Sequence, residues 1–244
     1  MTVTVIVPTM NELEGLKWFM PQLKREWYDE LLVVDGRSTD GTLEYCKQEG
    51  YPVLLQTGRG LPNALDEAFE HTRGDVLVVL SPDGNSLPEL IPDLVTKMRD
   101  ERCDMVIASR YLHEAVSHDD DRVTRFGNWM FTQMVNILFR GRYTDTLVIY
   151  RAYSRSAIER MRLAYQDREN RLRAKFLYMN GWEMGSAIRA AKLRLKVAEV
   201  AGDEPKRIGG ARKLSILKNG LGTLLQILYE FVCMRDLKPP QRKP

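Results

Sequence analysis

Five short runs of β-branched and apolar residues, separated by stretches of helical period, constrain this chain more than any other feature of its sequence. The runs are Val3 to Val7, Leu31 to Asp35, Pro52 to Gln56, Asp75 to Leu80 and Asp104 to Ser109. Between them lie helical stretches at about Glu12 to Arg25, Gly41 to Glu49, Pro62 to Thr72 and Pro88 to Arg99. Strands that alternate with helices pair in parallel, because each helix carries the chain back across one face of the sheet. The runs contain few alternating polar residues, as expected when helices cover both faces. A closed barrel needs eight strand-helix pairs, and here the pattern changes near Tyr111 after five strands. The expected fold is therefore an open, mostly parallel, Rossmann-like α/β sheet with helices on both faces.

After Tyr111 the chain becomes irregular. HEAVSHDDDR reads as a polar loop whose acidic triplet, Asp119 to Asp121, starts a helix near Val123, where carboxylates complement the helix dipole. A metal role is the competing reading of the triplet. Phe126 to Phe139 is rich in Phe, Trp, Met, Ile and Leu; Asp145 to Tyr153 reads as a loop or strand, Ser154 to Leu163 and Gly181 to Lys192 as helices, and Leu193 to Val200 as a strand. Further on, Leu214, Leu217, Leu221, Leu224, Leu225, Leu228 and Val232 recur at helical spacing within Leu214 to Met234. That stripe either docks a helix on the core or lays it in a membrane interface, with the basic tail RDLKPPQRKP at lipid headgroups.

Composition narrows the function classes. A chain of 244 residues holds one large domain, with or without a short appendage. Its 36 Lys and Arg against 33 Asp and Glu leave +3, too little to indicate nucleic acid. Cys46, Cys103 and Cys233 are odd in number and far apart, which fits neither a disulfide framework nor a structural zinc site and suits a reducing, cytoplasmic setting. The opening MTVTVIVPTMNE lacks the basic start of a secretory leader. No window reaches the roughly 20 apolar residues of a spanning helix. His71, His113 and His118 have no metal spacing and are expected at the surface.

Open α/β sheets bind ligands at the carboxyl ends of their strands, and five strand ends here are polar: PTMNE from Pro8, VVDGRSTDGT from Val33, TGRGLPNA from Thr57, LSPDGNS from Leu80 and ASRY from Ala108. Asp40, before Gly41 and Thr42, reads as a helix cap. Asp35 ends a buried strand and must find donors, which ribose hydroxyls or a base edge would supply. Ser81-Pro82-Asp83-Gly84-Asn85 is either a Pro-Asp-Gly turn or, through Asp83 and Asn85, an oxygen-ligand site for Mg2+ or Mn2+. KRIGGARK places Lys206, Arg207, Arg212 and Lys213 around two glycines. In isolation this is a solvated basic loop; late in such a series it suits closure over a diphosphate.

Taken in order, these segments resemble the family 2 glycosyltransferases of the GT-A fold, in particular the dolichyl-phosphate mannose synthase branch, over nearly the whole chain. The P-T-x-N-E start, the V-D-G-x-S-x-D-G-T segment, the acidic fourth strand end and the late R-x-G-G-x-x-K segment carry the resemblance. It implies that Pro8, Met10 and Glu12 line the nucleotide base and ribose, that Val33 and Asp35 contact the base, that Arg110 faces the donor diphosphate or sugar, and that Arg207 and Lys213 hold donor phosphates. Ser81, Pro82 and Asp83 stand where the family has Asp-x-Asp, so Ser81 removes one carboxylate and weaker metal affinity is expected. Asp145 to Arg151 matches an acceptor-side segment, with Ile149 where the family has glycine. Asp145 orients the acceptor, stabilises positive charge on the sugar, or forms a structural salt bridge with an arginine; Arg151 or Arg125 would hold an acceptor phosphate.

The resemblance thus implies an inverting transfer of a hexose from a nucleotide-sugar donor to a polyprenyl (dolichyl-type) phosphate at the cytoplasmic membrane face. Asp83, Asp145, Arg207 and Lys213 would form the catalytic set. Residues 1–110 would be the donor half, 111–213 the acceptor half, and 214–244 an amphipathic helix and basic tail, meeting the membrane directly or through an anchoring partner. Two rivals remain: a nucleotide-sugar-binding protein without turnover, weakened at Ser81, and a soluble transferase with a sugar or small hydroxyl acceptor.

Overall fold

The computed structural model describes residues 1–113, 115–164, 181–208 and 216–232. Its strands are β1 (Val3–Thr9), β2 (Glu30–Asp35), β3 (Val53–Leu55), β4 (Val76–Val79), β5 (Met105–Ser109), β6 (Arg151–Ser154) and β7 (Val197–Ala201). They form one seven-stranded sheet in the order β3-β2-β1-β4-β6-β5-β7. β1 pairs in parallel with β2 and β4, β2 with β3, and β5 with β7; β6 runs antiparallel between β4 and β5. The expected open, mostly parallel sheet is therefore present. The chain winds outward from β1 in both directions, which leaves a crevice at the carboxyl ends of β1, β2 and β4.

The helices are α1 (Leu13–Phe19), α2 (Thr42–Gln48), α3 (Leu61–His71), α4 (Ile91–Glu101), α5 (Arg122–Phe139), α6 (Arg155–Met161), α7 (Ser186–Lys192) and α8 (Ile216–Val232). Strand alternation sorts them into two layers. Val5, Val7 and Val33 pack with Leu16 and Phe19 of α1 and Ile91 and Leu94 of α4. Ile6, Val34 and Leu77 face the other way, onto Leu65 of α3, Val135 of α5 and Ile188 of α7. Because successive side chains point to opposite faces, a continuous apolar strand feeds both cores. Trp182 anchors the second core: it is buried, meets the Tyr153 ring edge-on at 5.8 Å, and donates Nε1–H to Asp66 at 2.8 Å.

Some boundaries differ from expectation for identifiable reasons. The first helix stops at Phe19 and continues only as a 3-10 turn, Met20–Gln22. Pro21 has no N–H to donate one turn back. The segment after Asp145 supplies an antiparallel strand, a pairing that apolar patterning does not encode. The strand expected from Leu193 begins at Val197, after Arg194 has taken a left-handed turn with φ 51°. The helix start near Val123 is confirmed, with Asp121 accepting from Thr124 N at 2.7 Å. The three histidines are exposed, and Cys46 and Cys103 are free and buried.

Of the two readings open for the leucine stripe of α8, docking on the core holds only in part, with Leu224 half-buried against it. Leu217, Leu221 and Leu228 are exposed, while Gln226, Ile227 and Glu230 face inward. Among the described residues no helix is long and apolar enough to cross a membrane. Leu214, Cys233, Met234 and the tail lie outside the described residues.

Asp40 was expected as the N-cap of α2, but Gly41 holds that position; Asp40, one residue earlier, accepts from N–H groups at the start of two helices. Its Oδ1 accepts from Thr42 N at 3.0 Å in the first turn of α2, and its Oδ2 accepts from Leu13 N at 3.1 Å at the start of α1. Replacing Asp40 by Ala should lower stability by about 1 kcal/mol or somewhat more, read as a lower urea midpoint at unchanged slope.

Candidate functional site

The first two strand ends are tied together by hydrogen bonds. Asn11, at φ 54°, donates its N–H to Ser38 Oγ at 2.8 Å, and its Oδ1 accepts from Thr39 N at 2.7 Å. Gly36 N donates to Thr9 O at 2.8 Å, and a Cβ at Gly36 would stand 3.3 Å from both Met10 Cβ and Thr9 O. Asp35 is fully buried, with Oδ1 accepting from Arg37 N and Ser38 N at 2.9 Å each. Its Oδ2 has no hydrogen-bond partner, and neither has the buried Oγ1 of Thr9, which lies opposite in the strand register. Buried polar atoms without partners are costly. These two sit where open α/β sheets receive nucleotides. Met10 is exposed beside them, and Pro8 and Glu12 are half-buried. Val33 belongs elsewhere: it is wholly enclosed in the core layer of α1 and α4, so its side chain does not line the crevice.

The fourth strand end lies under a strap formed by residues 202–208. Ile208 N donates to Asp83 O at 2.7 Å. Gly84 has φ 86°, and a Cβ there would stand 2.6 Å from Ile208 Cγ1, so conformation and space both require glycine. Beneath the turn, a Cβ on Gly15 would be 2.4 Å from Pro82 O, which fixes α1 against it. Asp83 is buried, its Oδ2 3.2 Å from Arg207 Nη1, and Arg207 Nη2 reaches Asp119 Oδ2 at 3.5 Å. Arg207 Nε is buried without a hydrogen-bond partner. Ser81 is half-buried, and Lys213 lies outside the described residues.

Arg110 closes the floor between the fifth strand end and the strap. Its Nε donates to Asp145 Oδ2 at 2.6 Å, its Nη2 to Asp145 Oδ1 at 3.0 Å, and its Nη1 to Glu204 Oε1 at 3.3 Å. Glu204 also accepts from Ser117 Oγ and, at 3.4 Å, from Asn85 Nδ2. Burial opposes the charge on Arg110, but Asp145 and Glu204 outweigh it and hold the guanidinium well above its ordinary pKa. Burial alone would raise Asp145; Arg110 and the N–H of Leu147 outweigh it and hold the carboxyl below its usual range. Glu204 is pushed up by burial despite Arg110. Of the readings open for Asp145, the arginine salt bridge is the arrangement present.

Beyond the fifth strand end a cleft of ≈ 460 Å³ is lined by Tyr111, Arg122, Arg125, Phe126, Trp129 and Thr144. Tyr111 donates its hydroxyl to Asp120, and Asn128 Nδ2 donates to the same hydroxyl at 2.8 Å, which fixes one wall. Arg125 is exposed at the cleft, with Nη2 donating to Ser117 O at 3.4 Å. Arg151, the other arginine expected to hold a phosphate, is fully buried. It donates to the carbonyls of Val148, Glu183 and Thr146 and to Ser186 Oγ at 2.7 to 2.9 Å, so it is a structural arginine.

Residues 4–162 match the family model described as Glycosyl transferase family 2. The chain belongs to this family. It is 32% identical over 165 residues to the glycosyltransferase AglJ of Haloferax volcanii, covering 66% of this chain and 53% of the relative. It is 28% identical to an undecaprenyl-phosphate mannosyltransferase of Micrococcus luteus, over 88% of each chain. A dolichol-phosphate mannosyltransferase of Pyrococcus furiosus is 34% identical over 46% of this chain and 34% of its own length. The match thus spans about half or less of several curated relatives. Among solved structures, glucosyl-3-phosphoglycerate synthase from Mycobacterium tuberculosis, in complex with Mn2+, UDP and phosphoglyceric acid, superposes with a TM-score of 0.67 at 20% identity, covering 99% of this chain and 80% of that one. The GT-A fold follows.

Within this glycosyltransferase frame, sequence reasoning missed Glu204 and Ser117, and it read Asp119 as part of a helix start or metal site rather than as the partner of Arg207; the three join the strap to the loop before α5. Of the two missed, only Glu204 left a signal: it precedes the basic segment by two residues, and a buried Arg110 needs more than one acceptor. Asp145→Asn should destabilise the protein by about 3 to 5 kcal/mol, since it leaves Arg110 underpaired in the interior. The sign with pH follows from the depressed Asp145 carboxyl. Its contribution is full above its unfolded pKa near 3.8 and is lost as pH falls through the lower folded value. Acid unfolding monitored by circular dichroism should be less steep across that window in Asp145→Asn than in the wild type.

Proposed function

We propose that the protein transfers a hexose from a nucleotide-sugar donor to the phosphate of a polyprenyl lipid, with inversion. The observation that carries this reading is the placement of the buried Arg110 cluster, with the strap and Asp83 on one side and the aromatic, two-arginine cleft on the other. The names of two relatives, a dolichol-phosphate and an undecaprenyl-phosphate mannosyltransferase, support the acceptor class.

On the donor side, Asp35 Oδ2 and Thr9 Oγ1 accept from ribose or base, with Pro8, Met10 and Glu12 around them. Asp83 and Asn85 would hold a Mg2+ or Mn2+ ion, which when bound neutralises charge on the diphosphate leaving group. Asp83 and Asn85 are hard oxygen donors of the kind such an ion takes, although among the described residues no three His, Cys, Asp or Glu side chains form a metal site. Carboxylates also exceed guanidinium groups in this floor, with Asp83, Asp119, Asp145 and Glu204 around Arg110 and Arg207. Arg207, released from Asp83, binds diphosphate oxygens, helped by Lys213. On the acceptor side, Arg122 and Arg125 hold the acceptor phosphate while Phe126 and Trp129 meet the first isoprenoid carbons. One phosphate oxygen attacks the anomeric carbon as the bond to the donor diphosphate breaks. That oxygen is already ionised near neutral pH, so no strong base is required. Asp145 is a positioning residue, acting through Arg110.

A second reading has one supporting observation: the solved neighbour was captured with phosphoglyceric acid, a soluble phosphate-bearing acceptor. Incubation with UDP- and GDP-hexoses, Mn2+ and either a short-chain polyprenyl phosphate or 3-phosphoglycerate separates the two. Lipid-dependent release of nucleoside diphosphate is expected; release only with the soluble acceptor, or with neither, would sink the lipid reading. Donor binding without any turnover would favour a binding protein. Asp83→Asn should lower kcat/KM by roughly a hundredfold. It should also abolish the tightening of nucleoside diphosphate binding by Mn2+.

A further inference from the structure

Two neighbouring helices turn apolar side chains to the outside. α5 is apolar on two sides: Phe131 and Val135 pack inward, while Val123, Phe126 and Ile137, on the opposite side at helical spacing, are 67%, 61% and 76% exposed. α8 is inverted. Its Glu230 is buried between Arg189 at 2.7 Å and Lys192 at 3.0 Å, and its Leu217, Leu221 and Leu228 are 84%, 59% and 47% exposed. The helices meet through the rings of Phe139 and Phe231, 6.1 Å apart. A helix that places its carboxylate inside and Leu217, Leu221 and Leu228 outside is arranged for an apolar exterior.

The charges identify that exterior. α5 contains no Asp or Glu within its span, with the exposed N-cap Asp121 standing just before Arg122, and the single carboxylate of α8 is the buried Glu230, so the acids of this face are confined to the N-terminal end of α5. Arg122, Arg125, Arg140 and Arg142 are exposed at the two ends of α5. A second copy of the chain packed face to face would bring these arginines against their own kind, whereas anionic lipid headgroups would neutralise them. Phe126, Arg122 and Arg125 also line the cleft, so the cleft borders the same face.

We propose that the outer face of α5 and α8 docks in the interface of an anionic lipid bilayer, with the leucine and isoleucine side chains at acyl-chain depth and the arginines at the headgroups. This surface rests on exposure and charge, independently of the transfer reaction. The test is flotation of the full-length protein with vesicles of phosphatidylcholine alone or with about 30 mol% phosphatidylglycerol. Co-flotation with the anionic vesicles, weakened by salt, is expected. Ile137→Glu combined with Leu221→Glu should reduce partitioning about tenfold or more, and Arg140→Glu with Arg142→Glu should weaken binding to the anionic vesicles only. Thermal melting shows that the variants remain folded. Absence of wild-type flotation, or equal flotation of the Ile137/Leu221 variant, overturns the proposal. So does a concentration-dependent dimer that this variant disrupts while wild type ignores vesicles. Turnover on a water-soluble short-chain acceptor is read separately, so its failure bears on the transferase reading and leaves the docking surface to flotation.

Discussion

Arg110 is a buried cation at the end of an interior strand, and a charge in that position must be paired in good geometry or the strand end does not form. Its two-point bond to Asp145 and its contact with Glu204 fix three segments that are distant in sequence: the end of β5, the loop that leads into β6, and the strap that leaves β7. Glu204 then passes the constraint to Ser117 and Asn85. The floor of the crevice is therefore set by charge pairing, while the sheet below it is set by apolar packing. Arg110 was expected to face the donor; in the structure its Nε and Nη2 donate to Asp145 and its Nη1 to Glu204.

The site divides its labour by electrostatics. Asp35 and Thr9 present acceptor oxygens without hydrogen-bond partners at the β1 and β2 ends, and Asp83 presents a carboxylate at the β4 end that Arg207 covers. Under the proposed function, Asp83 would hold a divalent ion and Arg207 the donor diphosphate, so both members of the Asp83 and Arg207 pair would exchange one charged partner for another. Such an exchange limits the loss of paired charge on donor binding. On that proposal Arg207 would matter more because Ser81 stands where the resemblance leads one to expect a second carboxylate. The cleft beyond Tyr111 carries arginines and aromatic rings with no acid among its lining residues, a composition suited to a phosphate on an apolar chain.

The parallel core was legible because a buried βα unit writes its apolar runs continuously into the sequence. Asp121 was legible because caps are local, and Asp40 was legible to within one residue of the cap position for the same reason. Asp35 was legible because a carboxylate closing an apolar strand is conspicuous. What escaped depends on distant partners. Arg151 and Arg125 look alike in sequence, yet one is satisfied by carbonyls around α7 and the other faces the cleft. Val33 adjoins the site in sequence, but strand alternation points it into the core. The leucine stripe of α8 was correctly placed on one face, but helical period cannot say whether that face turns in or out; the buried pairing of Glu230 with Arg189 and Lys192 decides it.

Under the proposed function, Asp35, Asp83 and Arg207 form a nucleoside diphosphate site. Calorimetric titration of UDP and GDP into the protein, with and without Mn2+, tests it most directly. One of the two should bind in the presence of Mn2+, several-fold more weakly without it, and its monophosphate should bind more weakly still. No binding of either diphosphate in the presence of Mn2+, or equal binding of mono- and diphosphate, would contradict the claim.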